Sequence, residues 1–230
     1  MEYFIPEALN FFIKDCDVLD IASYTGKSSA SIKCMGARSV VGLEPRTESI
    51  EIAQDLIRLN SLDSVSFVKG DATDANSLTA LLEGKDTVTN FGMFYHIADH
   101  HLFLKTICNS QVKHLILESE FGPECSTPNM DWYVETTDWD KAGFNGYASI
   151  LAGVPNFPWV NIILELYGWQ TVFYKAFYHD SRAMHQRFVI GAVNTRFVDT
   201  HTLPKLPENL WEWNIVPNSI TGREFIAYGL

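Results

Sequence analysis

The 230-residue sequence has no apolar run approaching the roughly 20 residues of a membrane-spanning helix, so no membrane association is expected. It has only 17 lysines and arginines against 28 aspartates and glutamates, a formal net charge of −11. That shortage of cations argues against broad contact with a nucleic-acid backbone, which needs a basic surface. A small-molecule substrate is expected instead. Its four cysteines, Cys16, Cys34, Cys108 and Cys125, form no C-x-x-C pair. Reduced thiols in a cytoplasmic protein are therefore expected. The opening MEYFIPEALNFFIKD has no basic n-region and no cleavage site, and is not read as a secretory leader. Internal repeats, low-complexity segments and a G-x-G-x-x-G fingerprint are also missing.

What is present is a 47% hydrophobic, 20% charged chain, long enough for one well-buried domain. Its centre of gravity is Val18 to Ser29, VLDIASYTGKSS. Three apolar residues and an acid lead into a small-residue turn that closes on Gly26, and a helix pattern follows. This is the grammar of a first strand, tight turn and first helix in a nucleotide-binding α/β domain.

The rest of the chain repeats that grammar. Residues 6–14 predict a short amphipathic helix with Leu9, Phe12 and Ile13 on one face. Strands are predicted at 16–21, 39–43, 65–68, 87–91 and 115–117, as apolar runs suited to a parallel sheet. Helices are predicted between them at 27–35, 47–60, 77–82 and 99–108, with Thr47 as an N-cap and Leu102, Leu104, Ile107 and Cys108 facing inward. Residues 119–156 show no clear period, carry Trp132, Tyr133, Trp139, Phe144 and Tyr147, and read as a lid or insertion. A helix at 158–167 precedes strands at 171–177 and 186–193. Their link is too short for a crossover, so they pair antiparallel. The expected fold is a Rossmann-like, seven-stranded, mostly parallel sheet with its last strand antiparallel and helices on both faces. Residues 1–193 form the domain. The segment 194–230, with Trp211 and Trp213, packs on it or on a partner, and a homodimer through this tail is one expectation.

In open α/β sheets ligands bind at the carboxyl ends of the strands. Here Asp20 and the turn Ala22-Ser23-Tyr24-Thr25-Gly26 follow strand one. Glu44 and Pro45 end strand two, Asp71 and Ala72 lie past strand three, Phe91 and Gly92 end strand four, and Glu118 and Glu120 end strand five. An acid after strand two accepts ribose hydroxyls, and one after strand three accepts an adenine amine. Turn amides at a helix N-terminus hold a carboxylate, and Asp20 suits an ammonium. The set matches an adenosine that carries an amino acid.

On these residues the chain resembles the class I S-adenosylmethionine-dependent methyltransferases. VLDIASYTG resembles their first motif, VVGLEP the second-strand acid motif and FVKGDATD the third-strand motif, and YGW precedes the terminal antiparallel pair. The likeness spans roughly residues 15–193. NFGMFYHIADHHLFLKTI and VPNFPWVNIILELYGW are similar to the tRNA wobble-uridine carboxymethyltransferase group and related uncharacterised methyltransferases. The resemblance implies S-adenosyl-L-methionine as cofactor, held through Asp20, Ala22, Ser23, Gly26, Glu44, Pro45, Asp71, Ala72, Phe91 and Gly92. Two usual motif glycines are replaced by Ala22 and Tyr24, so the Tyr24 side chain must turn away from the cofactor.

His96 and Tyr95, just past strand four, are the candidate catalytic bases. His96, His100 and His101 have no second ligand cluster, and no metal is expected. Trp132, Tyr133 and Trp139 suit a cation or planar cage as well as lid packing. Arg187 suits an ion pair. Two other readings stay open: a nicotinamide-linked oxidoreductase using Glu44 for its ribose, and a non-catalytic scaffold of the same fold.

Overall fold

The computed structural model describes residues 7–122, 127–136, 149–177 and 186–203. Its strands are β1 (Asp17–Ile21), β2 (Ser39–Glu44), β3 (Val65–Lys69), β4 (Thr87–Phe91), β5 (His114–Phe121), β6 (Met130–Thr136), β7 (Ser149–Pro155), β8 (Trp169–Phe177) and β9 (Gln186–Asn194). Its helices are α1 (Lys27–Cys34), α2 (Thr47–Leu59), α3 (Ala75–Leu82), α4 (His100–Cys108) and α5 (Phe157–Leu166). Seven strands form one sheet in the order β3-β2-β1-β4-β5-β9-β8. β1 to β5 pair in parallel, and β9 runs antiparallel to both β5 and β8. The chain thus has the Rossmann-like, mostly parallel sheet expected of it. The antiparallel β9 departs from the all-parallel dinucleotide fold.

Both faces of the central strands are buried. Leu19, Ile21, Val88, Leu115 and Leu117 face α3, α4 and α5, where Leu78, Leu82, Phe103, Leu104, Ile107, Val160 and Leu164 complete the cluster. On the other face Val18, Val40, Ile116, Val189 and Val193 pack with Ile32 of α1 and with Leu9, Phe12 and Ile13. Burial on both faces explains why these strands read as apolar runs rather than alternations.

Several details differ from expectation. The N-terminal segment is a 3-10 helix, Glu7–Phe12, rather than an α-helix. It lies so close to the sheet that a Cβ on Gly191 would come within 2.5 Å of Leu9 Cδ2. Thr47 is the first helical residue of α2. Arg46 occupies its cap position, and no side chain caps it. Asp74, Asp99 and Asn156 do cap α3, α4 and α5, each accepting from a backbone N–H. Leu102 is 38% exposed, not inward, and Phe103 takes the buried position.

The largest correction concerns the insertion. β5 continues to Phe121, and the following stretch holds an antiparallel pair, β6 with β7. The first residues of the tail pack on the domain. Thr195 N–H donates to Gly168 C=O at 3.0 Å, and Val198 and Leu203 pack against the second cluster. The remainder of the tail with Trp211 and Trp213, and Cys125, Trp139, Phe144 and Tyr147, lie outside the described residues.

Candidate active site

β1 and β4 are neighbours, while the chain leaves β1 toward β2 on one side and reaches β5 from β4 on the other. The carboxyl ends of β1 and β4 therefore flank the topological switch point, where open sheets leave a crevice. The turn after β1 is wound tightly there. Ala22 (φ 60°), Tyr24 (φ 49°) and Gly26 (φ 79°) all adopt the left-handed region. Ala22 and Tyr24 hold this conformation despite a Cβ, at about 1 kcal/mol each. The turn keeps a glycine-loop path without two of the glycines. Ser23 N–H donates to Leu43 C=O at 3.1 Å, tying the turn to β2. Gly26 cannot be replaced so easily: a Cβ would sit 2.8 Å from Ala53 Cβ and 2.9 Å from the Phe67 ring.

Asp20 is almost fully buried, and both of its carboxylate oxygens accept from hydroxyl groups of the protein. Its Oδ2 accepts from Ser28 Oγ (2.7 Å) and Ser29 Oγ (2.6 Å), and its Oδ1 from Thr89 Oγ1 (2.8 Å). Burial raises its pKa, against the three hydroxyl donors. Asp20 is a brace that joins β1, β4 and the first turn of α1. The sequence places it at the strand end, and the three hydroxyl contacts fix the turn around it.

Glu44 is also completely buried. Its Oε2 accepts from the Tyr24 N–H at 3.1 Å, and its Oε1 from Arg46 N–H (3.1 Å) and Arg46 Nε (2.5 Å). The Arg46 guanidinium lies 4.8 Å from the centroid of the Tyr24 ring. Tyr24 thus turns outward onto Arg46, 48% exposed, and the three residues form a clasp across Pro45. The end of β3 is fixed beside it, since Gly70 N–H donates to Glu44 C=O at 3.2 Å. Asp71 follows immediately. Its Oδ1 accepts from Thr73 N–H (2.8 Å) and Thr73 Oγ1 (2.7 Å), a side-chain turn that sets the carboxylate's direction. Ala72 packs partly buried against the first core cluster.

At the end of β4, Phe91 is buried and Gly92 (φ 73°) turns the chain, its N–H donating to Glu118 C=O at 3.1 Å. A 3-10 turn, Phe94–His96, follows. Tyr95 is buried, with the Arg187 guanidinium 5.4 Å from its ring centroid. Burial raises the Tyr95 phenol, and Arg187 works against it. Arg187 itself forks onto Glu118, Nε to Oε1 at 2.5 Å and Nη2 to Oε2 at 2.8 Å, with Glu120 at 3.5 Å. Burial opposes the Arg187 charge, but the Glu118 carboxylate outweighs it and raises the pKa. His96 Nδ1 lies 2.5 Å from Glu135 Oε2, on β6. Burial, then Glu135 and Glu120, raise the nearby Tyr133 phenol. Tyr95, His96, Glu118, Glu120, Tyr133, Glu135 and Arg187 form one polar cluster between β4, β5, β9 and the hairpin.

The three histidines do not converge. His101 Nε2 meets Tyr167 Oη at 2.9 Å. His100 is buried among the rings of Phe94, Trp132 and Trp159, with its pKa lowered to about 4 by that burial. Among the described residues no three His, Cys, Asp or Glu side chains gather to hold a metal ion. Among the buried polar side chains that lack a hydrogen-bond partner among the described residues, three lie on the strands and turn of this edge: Ser23 with its Oγ, Asn90 with both polar atoms of its amide, and Ser119 with its Oγ. They belong to the turn after β1, to β4 and to β5. Ser119 lies in no motif of the sequence, and Asn90 opens the block NFGMFYHIADHHLFLKTI without being a candidate within it. Glu135 was equally hidden, because its partner is 39 residues away.

Residues 18–110 match a family model described as "Methyltransferase domain". No curated protein matches the sequence. Among solved structures, the N-terminal domain of EvdMO1 with SAH bound is 15% identical, with a TM-score of 0.61, covering 81% of this chain and 78% of that one. The same domain in the presence of SAH and D-fucose gives 14%, 0.62, 81% and 79%. Magnesium protoporphyrin IX methyltransferase (ChlM) from Synechocystis PCC 6803, with bound SAM, is 16% identical, with a TM-score of 0.54, covering 79% of this chain and 71% of that one. The chain has the Rossmann-like methyltransferase fold, with its methyltransferase-domain match over residues 18–110.

Proposed function

We propose that the protein is an S-adenosylmethionine-dependent methyltransferase whose acceptor is a small hydroxyl-bearing molecule. The observation that carries this reading is the carboxyl edge of β1, β2 and β3. There a left-handed turn, Glu44 and Asp71 are fixed side by side by Ser23 N–H to Leu43 C=O and Gly70 N–H to Glu44 C=O. On this reading Ser23, Gly26 and the turn amides hold the methionine end. Glu44 and Pro45 hold the ribose, Asp71 and Ala72 the adenine, and Phe91 and Gly92 the sulfur side. The unsatisfied Ser23 and Asn90 groups fit a ligand that brings polar atoms of its own. Each left alone costs about 1–3 kcal/mol.

The cofactor supplies a methyl group already activated on a sulfonium. The chain's own residues then bind, orient and exclude water. Tyr95 and His96 stand on the acceptor side. An acceptor with a hydroxyl suits the polar cluster around Tyr95, His96 and Tyr133, and a structural neighbour was crystallised in the presence of a sugar, D-fucose. A formal net charge of −11 favours a small molecule over RNA. No described helix is long and apolar enough to cross a membrane. A cytoplasmic setting and a homodimer through the tail complete the proposal.

Calorimetry with S-adenosylhomocysteine tests the reading, with NADH as the control. The expected result is saturable binding of the first alone, weakened about tenfold or more by Asp71→Ala, as for loss of a hydrogen-bonded charged group. No binding, together with no effect of Asp71→Ala, would overturn it.

A further inference from the structure

The hairpin β6–β7 brings a carboxylate to His96 from outside the family-matched segment. Glu135 Oε2 lies 2.5 Å from His96 Nδ1. An ionised carboxylate only accepts, so Nδ1 carries the proton in this contact, and in the neutral form of the ring Nε2, across from it, keeps its lone pair. The backbone supports this arrangement. β6 is held in register by β7, and Gly153 of β7 fits against His100, where a Cβ would come 2.8 Å from the ring. Asn156 then ties the hairpin to α5, accepting from Asn129 N–H at 3.0 Å and Trp159 N–H at 3.1 Å. Glu135 is held at His96 by a hairpin seated at Gly153 and tied to α5 at its Met130–Pro155 end.

We propose that His96 and Glu135 form a base pair for the acceptor: His96 is the catalytic residue and Glu135 its positioning residue. The inference rests on the methyltransferase reading above. The acceptor is a protic oxygen nucleophile, an alcohol or phenol, which needs its proton removed as it attacks. The acceptor oxygen bonds to the methyl carbon as the carbon–sulfur bond breaks, its electron pair going to sulfur. The acceptor's proton passes to His96 Nε2, and the imidazolium that results is balanced by Glu135. Around the pair stand Tyr95 on its own turn, Tyr133 on β6, and Glu118, Glu120 and Arg187 on β5 and β9. A carboxylate acceptor, by contrast, is already deprotonated and needs no such pair.

The test uses the full chain saturated with S-adenosylhomocysteine and no acceptor. Long-range proton–nitrogen spectra report which His96 nitrogen carries the proton. Diethyl pyrocarbonate, mapped by mass spectrometry, reports how readily the His96 lone pair reacts, with exposed His201 as internal reference. The wild type is expected to show a protonated Nδ1 and modification at His96. Glu135→Gln is expected to move protonation toward Nε2 and slow the reaction at His96 roughly fivefold relative to His201. Its affinity for S-adenosylhomocysteine should stay within about twofold, because Glu135 lies outside the residues assigned to the cofactor. A wild-type His96 protonated on Nε2, or unreactive, overturns the proposal whether or not the variant folds. So does a folded variant with unchanged tautomer and rate. Absence of S-adenosylhomocysteine binding by the wild type is a separate outcome. It overturns the methyltransferase reading, and this inference with it.

Discussion

At the scale of single residues the site is held by contacts that close over long sequence distances. Asp20 was legible as a strand-end acid, but its three hydroxyl partners come from α1 and β4, and no spacing rule places Thr89 beside it. Glu44 and Asp71 were legible because each directly follows an apolar run. Glu135 was not, because nothing local in the chain distinguishes it. Ala22 and Tyr24 were legible as departures from a motif, and the structure shows how they are absorbed: both take the left-handed conformation, and the Tyr24 ring moves onto Arg46. Gly26 has no such freedom. Gly26→Ala adds a Cβ at φ 79° that meets Ala53 and Phe67 below 3 Å. A loss of about 2–4 kcal/mol in urea unfolding is expected, from backbone strain and overpacking together. A loss under about 0.5 kcal/mol would show that α2 yields at that point.

At the scale of elements, the alternating strands and helices were legible because each central strand is apolar on both faces. The hairpin was hidden for the opposite reason. On β6 the apolar residues Trp132 and Val134 are exposed, while the more polar Tyr133 and Glu135 turn inward. Alternation is present, but its sense is inverted, and the surrounding Gly, Pro and Asn residues read as loop. Gly153 is where this element seats. Its would-be Cβ meets His100 Cε1 at 2.8 Å, Met130 Sδ at 2.9 Å and Trp132 Cζ3 at 3.1 Å. Gly153→Val should lift the hairpin from α4 while leaving the β1–β3 edge intact. The expected outcome is a shifted tryptophan emission and affinity for S-adenosylhomocysteine within about twofold, read in one fluorescence and calorimetry series. A tenfold loss of affinity would show that the hairpin reaches the cofactor side.

At the scale of the whole molecule, two histidines, the buried His100 and the half-buried His114, tie the fold to pH. His100 and His114 each have a pKa lowered to about 4, burial being the main cause for both. Unfolded, each takes up a proton near its ordinary value of about 6.5. Below that point the unfolded chain binds more protons than the folded one, so stability falls as pH drops from about 6.5 toward 4. The loss at pH 5 should be on the order of 2 kcal/mol per histidine in urea unfolding. His100→Leu should flatten part of that slope, and an unchanged slope would show that His100 protonates within the folded state.

The clasp of Tyr24, Arg46 and Glu44 adds a kinetic consequence. A carboxylate has about four lone-pair sites, and three are already taken by Tyr24 N–H and by the backbone and side chain of Arg46. A ribose presents two hydroxyls. Full engagement of Glu44 on the proposed reading therefore requires the Arg46 guanidinium to let go first. Only the fraction of molecules with the clasp open is competent, and the apparent affinity is reduced by that fraction. Arg46 thus acts as a tenant of the ribose position, setting a threshold that a nucleoside must exceed by displacing it.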